Sequence, residues 1–391
     1  MKSDILISII FLIIFHFIIA YTLTKLSIPI AYKMGFLDKG IYDSNGNLIL
    51  KPLPRCGGIG IIISFVLFLF LNNNFYHFFH RSIFLPERFL FMIIALSLLL
   101  VLGLVDDRFG LGADIKLPVQ LCVSILLISG GFVIGLPLLP DPTINHYLNI
   151  FVTIVWFIVV INSFNIIDGL DNLAGGTAMI ALFFLIIFDV LILKTQNYAQ
   201  LLILIACIGG FMILNMHPAK TLMGDTGSTF LGAIIAIYTI KMGIAGRVSV
   251  ILLIPIFLLL YPFLDTFLAV IRRTIRYIRS NNNNNNGISL NQYFRFIFTG
   301  DREHIHHQIV RRNGDHRKAV RILLSINFVL GILSIIFFFS HIVVKFIVLF
   351  VLFIGIAIIL VNLGYLPGKK IVDSFKVIVK NVKAIIYLGG L

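Results

Sequence analysis

Residues Asn162–Gly176 read N-S-F-N-I-I-D-G-L-D-N-L-A-G-G and lie between two apolar runs, Ile150–Ile161 and Thr177–Leu193. Asn162, Asn165, Asp168 and Asp171 recur at every third residue. On a helix that spacing keeps neighbours on one face, drifting by about 60° per step. Three of the four can therefore share a face, and Gly169 offers a point where the helix can break and re-aim the rest. Two acids and two amides in phase, with no Lys or Arg among them, are costly at a membrane boundary unless they do something. A plain polar connector between two spans is the competing reading.

The remainder of the chain sets this stretch in a membrane. Of 391 residues, 59% are hydrophobic and 12% charged, and the mean hydropathy is +1.04. A soluble domain carries about 25% charge. Eleven apolar segments, near 4–24, 57–73, 88–105, 117–136, 147–163, 173–193, 199–215, 228–242, 248–270, 320–341 and 344–363, can each cross a hydrocarbon core of about 30 Å. The expected fold is all-α, one polytopic bundle over residues 1–368 with a basic tail over 369–391. In the tail Lys376, Lys380 and Lys383 fall at helical spacing, as in a helix lying on an anionic leaflet. The first segment has no small-x-small cleavage site after it and reads as a span, not a removed signal. Cys56, Cys122 and Cys207 have no paired spacing, so no disulfide or metal site follows from them. Asn281–Asn286 is a low-complexity run inside the longest polar loop, 272–319.

With the N-terminus outside, 24 of the 31 Lys and Arg residues fall on the inner side. That bias predicts an outer N-terminus and a cytoplasmic C-terminus. It also explains the net charge of +14 as a preference for the cytoplasmic face and anionic lipid, not for nucleic acid. Four polar features share that inner side: Asp106-Asp107, the Asn162–Asp171 group, Asp225 and the His304–His307 cluster.

Each feature has a local rationale. Asp106 and Asp107, in V-D-D-R-F-G-L, point about 100° apart on a helix, and Arg108 or Lys116 could neutralise one of them. Asp225, in M-H-P-A-K-T-L-M-G-D-T-G-S, is bracketed by Gly224 and Gly227, which leave room for a phosphate or metal beside exposed amides. Lys51 and Arg55 precede a double glycine, Gly57-Gly58; they either bind phosphate or obey the charge bias. His304, His306 and His307 follow Arg302 in D-R-E-H-I-H-H-Q. Zinc fits them poorly, because i and i+2 do not share a helix face and no fourth ligand has normal spacing. Neutral imidazoles donating to phosphate oxygens fit better. Asp265, one turn inside the ninth segment, is expected to pair with Arg272 or Arg273. His16 and His341 are read as structural.

Acids, amides and cations at one headgroup layer suit a divalent metal and a diphosphate. A phosphate nucleophile and a diphosphate electrophile repel one another, and a metal with fixed cations offsets that repulsion.

D-D-R-F-G-L, N-S-F-N-I-I-D-G-L-D-N-L-A, N-M-H-P-A-K-T-L-M-G-D-T-G-S and H-I-H-H, in this order, resemble the polyprenyl-phosphate N-acetylhexosamine-1-phosphate transferases. The resemblance covers segments two to ten. It implies that a polyprenyl phosphate, undecaprenyl in bacteria, attacks a UDP-N-acetylhexosamine to give a lipid-diphosphate-sugar and UMP, with Mg²⁺ or Mn²⁺ as cofactor. It implies metal ligands at Asn165 and Asp225. Asp106 and Asp107 would lie near the lipid phosphate, which is mostly ionised near neutrality and needs no strong base. Asp168 and Asp171 would serve the nucleotide or the metal, and His304, His306 and His307 would face the diphosphate. Asn215 matches a uridine-side position; Lys51, Asn162, Leu222 and Arg302 complete the substrate-binding candidates. The departures are Leu222 where many members stack Phe on uracil, Asn172 for a usual Gly, and the asparagine insertion. H-I-H-H and eleven spans resemble the N-acetylglucosamine branch more than the muramoyl-pentapeptide branch, which is the nearest alternative. An ion-coupled transporter would carry its acids near mid-membrane in repeated halves, and neither feature is present. The expected setting is the plasma membrane with a cytoplasmic site, in contact with membrane lipid; a second copy of the chain is a candidate partner.

Overall fold

A computed structural model of the chain describes residues 2–38, 41–42, 48–74, 86–137, 139–193, 198–246, 253–284 and 304–362. Its helices are α1 (Lys2–Met34), α2 (Gly58–Asn74), α3 (Pro86–Phe109), α4 (Ala113–Ser129), α5 (Pro142–Ile167), α6 (Leu173–Phe188), α7 (Tyr198–Asn215), α8 (Gly224–Gly246), α9 (Leu253–Leu258), α10 (Leu260–Asn284), α11 (Ile305–Asn313), α12 (His316–Phe339) and α13 (Ile342–Asn362). Among the described residues the only strands are β1 (Ile41–Tyr42) and β2 (Leu48–Leu50), which pair antiparallel. Long apolar runs become helices because lipid offers no partner to backbone amides and carbonyls, and a helix satisfies them internally. Among the described residues seven helices, α1, α3, α5, α6, α7, α12 and α13, are long and apolar enough to cross a membrane. The protein is a polytopic helical membrane protein.

Two boundaries differ from expectation. The ninth apolar segment is divided into α9 and α10. Pro262 sits in the first turn of α10, where its missing amide costs little. Helix α10 then continues to Asn284, through residues expected in a loop; the Arg residues and the apolar residues between them in 271–278 favour helix. Arg302, the tail 369–391 and the end of the asparagine run lie outside the described residues.

The chain forms two units, Met1–Ile332 and Leu333–Leu391. In the first, α8 is the core element: every residue from Thr226 to Ile240 is buried. A helix apolar all round is one enclosed by others, and α8 packs against α2, α3 and α5. Glycines bring these axes together. A methyl at Gly58 of α2 would meet the Gly227 backbone, one at Gly103 of α3 the Thr226 backbone, and one at Gly232 of α8 the Ile161 backbone. Away from the site, Ser64 Oγ of α2 donates to the His16 carbonyl of α1 at 3.0 Å, a structural tie in keeping with the reading of His16.

Candidate active site

Helix α8 begins at Gly224, which adopts φ +75°, and its exposed first amides organise the site. Asp107, two residues before the end of α3, receives them. Its Oδ1 accepts from the Asp225 amide at 2.8 Å. Its Oδ2 accepts from the Thr226 amide at 3.0 Å and from Thr226 Oγ1 at 2.7 Å. Arg55 Nε lies 3.4 Å from Asp107 Oδ1, and the Asp107 side chain is fully buried. A carboxylate from another helix thus caps α8, satisfying orphan donors and the positive end of its dipole.

Asp225 comes next in the chain and points into an ionic cluster. Its Oδ1 accepts from Arg55 Nη2 at 2.9 Å, and its Oδ2 from Lys116 Nζ at 2.7 Å. Lys116, on the first turn of α4, also pairs with Asp106, whose Oδ1 accepts from the Leu111 amide at 2.6 Å. Burial opposes charge on Asp225, but its hydrogen bond with Asp106 and the charges of Lys116 and Arg55 hold its carboxyl well below the usual carboxylate range.

The stretch 162–176 reaches the same helix end. Helix α5 closes at Ile167 with Asp168 as its C-cap, immediately before Gly169. Asn165 Nδ2 donates to Ser228 Oγ at 3.4 Å, on the first turn of α8. Asp168 accepts from the Gly224 amide; burial and the charges of Asp225 and Asp107 push its carboxyl well above the ordinary value, against the pull of Arg55. Asp106, Asp107, Asp168 and Asp225 outnumber Arg55 and Lys116 by two charges when all are ionised. Such a cluster of carboxylate oxygens is of the kind that suits a hard divalent cation.

The histidines are held from below. Asp265 of α10 is fully buried, and one oxygen lies 3.1 Å from His304 Nδ1, the other 3.2 Å from His306 Nδ1. The Ile305 amide donates to the same carboxylate at 3.0 Å. Both Nε2 atoms therefore face away from α10. His306 Nε2 is buried without a hydrogen-bond partner among the described residues, and a methyl on Gly169 would collide with it. Burial, then the neighbouring His306 and His304, lower the His307 imidazole to about 4, so that ring is neutral near pH 7.

Other candidates take different places. Asp171 pairs with His217 Nδ1 at 2.7 Å and lies 3.8 Å from His316 Nε2. Asn162 is half-buried and donates to Gln120 Oε1 of α4 at 2.7 Å, an amide pair between helices. Asn215 Oδ1 accepts from the Asn172 amide at 2.7 Å, and its Nδ2 donates to the Thr221 carbonyl at 2.8 Å; it ties two loops together. The Leu222 backbone bonds to Pro54 and Gly57. Lys51 is exposed, and Arg55, four residues on, is the cation that enters the acid cluster.

Sequence reasoning gave Asp265 and Arg55 other roles and passed over Thr226, His217 and His316. Asp265 was legible as a carboxyl placed inside an apolar run, a placement that is costly without a partner; its partners are histidines, not Arg272 or Arg273. Arg55 carried no mark that separated it from the general basic bias.

A bundle of apolar helices that gathers acids, two cations and oriented histidines at the start of its core helix is a membrane protein equipped to handle phosphate. The sequence profile of glycosyl transferase family 4 matches residues 89–243. "Probable undecaprenyl-phosphate N-acetylglucosaminyl 1-phosphate transferase" of Bacillus subtilis is 31% identical over 87% of this chain and 89% of the relative. "Decaprenyl-phosphate N-acetylglucosaminephosphotransferase" of Mycolicibacterium smegmatis is 28% identical over 72% and 71%. "Undecaprenyl-phosphate alpha-N-acetylglucosaminyl 1-phosphate transferase" of Salmonella typhi is 25% identical over 82% and 81%. The chain belongs to glycosyl transferase family 4.

Proposed function

We propose that this protein transfers N-acetylglucosamine 1-phosphate from UDP-N-acetylglucosamine to a polyprenyl phosphate, giving the lipid-diphosphate sugar and UMP. The observation that carries the reading is the meeting of Asp225, Arg55, Lys116, Asp106 and Asp168 at the first turn of α8. The relatives' names support the sugar and the lipid class, and do not favour the muramoyl-pentapeptide alternative.

Arg55 and Lys116 supply fixed positive charge where a phosphate and a diphosphate must meet, and their pairing with Asp225 keeps them in place. Asp107 acts through α8 by fixing the turn that carries Asp225. His306 turns its Nε2 toward the Gly169 turn because Asp265 holds its other nitrogen, and the same carboxylate holds His304 beside it. There, when the His306 ring carries its second proton, Nε2–H donates to a diphosphate oxygen. The lipid phosphate is already ionised, so no residue is required to remove its proton. Asp225 and Asn165 would hold Mg²⁺ or Mn²⁺, which offsets charge on the reacting phosphates and aligns the displacement.

The finer topology belongs to the same proposal: eleven crossings, an outer N-terminus and a site on the cytoplasmic face of the plasma membrane, supported by the Lys and Arg distribution. The test uses the full chain in detergent with UDP-N-acetylglucosamine and undecaprenyl phosphate. UMP release should require the lipid phosphate, stop with EDTA and return with Mg²⁺. UDP-MurNAc-pentapeptide should not substitute. UMP release independent of lipid, or none with any UDP-hexosamine, overturns the reading.

A further inference from the structure

Asp171, His217 and His316 come from three separate segments: the turn after α5, the loop before α8, and the start of α12. Asp171 Oδ2, a His217 nitrogen and a His316 nitrogen all lie within 4.8 Å of one another. Individual separations are 2.7 Å from His217 Nδ1 to Asp171 Oδ2 and 3.8 Å from His316 Nε2 to the same oxygen. The imidazoles stack, with centroids 4.3 Å apart and planes 16° apart.

We propose that these three residues bind a borderline divalent transition metal, Zn²⁺ first among them, at a site separate from the acid cluster around Asp225. Two imidazole nitrogens and one carboxylate oxygen suit zinc with an open fourth position, whereas Mg²⁺ prefers oxygen alone. Ligand atoms about 2.1 Å from a shared zinc lie about 3.4 to 4.2 Å apart, so the three donors need only small movements to close. The Asp171 amide donates to His316 Nε2 at 3.1 Å, which fixes the tautomer with its lone pair on that nitrogen. Zinc displaces this hydrogen bond and the one between His217 Nδ1 and Asp171 Oδ2, taking a lone pair from each ring while the His217 proton resides on Nε2. Arg317 Nη2 donates to the His217 carbonyl at 2.7 Å, so the segment that begins α12 already holds the His217 loop. Side-chain exposures of 41% for His217, 22% for His316 and 14% for Asp171 leave a path for the ion. The bound metal staples three loops together beside Asp168 and Gly169.

The inference does not depend on the transferase reading, and its test does not read turnover. The full chain, purified in detergent with Mg²⁺ present, is titrated with Zn²⁺ against a chromogenic chelator, and its Tm is recorded with and without Zn²⁺. The wild type should bind one Zn²⁺ and gain Tm. His217→Ala and His316→Ala should each weaken binding by about tenfold or more, at least what loss of an outer-shell partner costs, and lose the Tm gain. His217→Gln, at the more exposed position, serves where His316→Ala does not fold. Asp225→Asn and His306→Ala should bind Zn²⁺ as the wild type does. No stoichiometric binding, zinc retained after loss of His217 and His316, or zinc lost with His306→Ala instead, would each overturn the assignment.

Discussion

Replacing Asp107 with asparagine preserves shape, removes charge and puts an NH₂ group where an acceptor stood. In the wild type that carboxylate takes the Asp225 amide at 2.8 Å, the Thr226 amide at 3.0 Å and Thr226 Oγ1 at 2.7 Å. An asparagine keeps one of the amide bonds. The other amide then faces a donor, while the Thr226 hydroxyl can turn and accept. Hydrogen bonds to a charged group contribute about 1.5 to 3 kcal/mol each, and an N-cap about 1. Loss of the charge, with one buried amide left unpaired, should cost about 2 to 4 kcal/mol. In a protein of this size that lowers Tm on the order of 5 °C. The same loosening reaches Asp225, the adjacent residue, so UMP release should fall between about tenfold and a thousandfold. Thermal unfolding in detergent and a UMP-release assay measure both effects on one preparation. Loss of turnover with an unchanged Tm would refute the reasoning: Asp107 would then act on substrate directly, not through α8.

Three further expectations come from the histidine wall. Asp265→Asn should lower kcat by about ten- to a hundredfold with little change in KM for the UDP-sugar, since it frees His304 and His306 to rotate without touching the nucleotide; equal losses in the two constants would place Asp265 elsewhere in the scheme. Gly169→Ala drives a methyl into His306 Nε2 and should cost about 1 to 3 kcal/mol as overpacking, with most turnover lost; wild-type activity would show that the His306 ring position is unimportant. Because His307 is lowered to about 4, its neutral form is the favoured one and protonation begins only as pH falls toward that value. His307→Gln should therefore leave the pH profile of kcat/KM unchanged in shape above about pH 5; a shifted acid limb would assign that limb to His307.

The sequence exposed this site because polar groups interrupt apolar runs. A membrane boundary tolerates few such interruptions, so Asp106-Asp107, Asn162–Asp171 and Asp225 could be singled out by composition alone, while the histidines stood out as a cluster within a polar loop. Pairing between them was not legible, because it depends on which helix ends meet. Asp106 and Asp107 are consecutive yet serve different ends, one against Lys116 and one as a cap for α8. Nothing in their spacing with residue 226 announces that. Asn162 shares the three-residue phase of its neighbours but turns to Gln120, since α4 lies along that part of α5. The division at Leu259 and the extension of α10 to Asn284 likewise lay beyond a hydropathy reading, which sees apolarity and not where a helix axis stops.

The glycine crossings at the head of α8 make one side of the acid cluster an anvil. Where Gly58 meets Gly227 and Gly103 meets Thr226, backbone rests on backbone, with no rotamer to swing aside. Side chains that can give way lie instead at the Gly169 turn, where His306 packs. Attempts to widen donor choice should be aimed there, and insertions of side chains at residues 58, 103 and 227 should destroy the enzyme before they retune it.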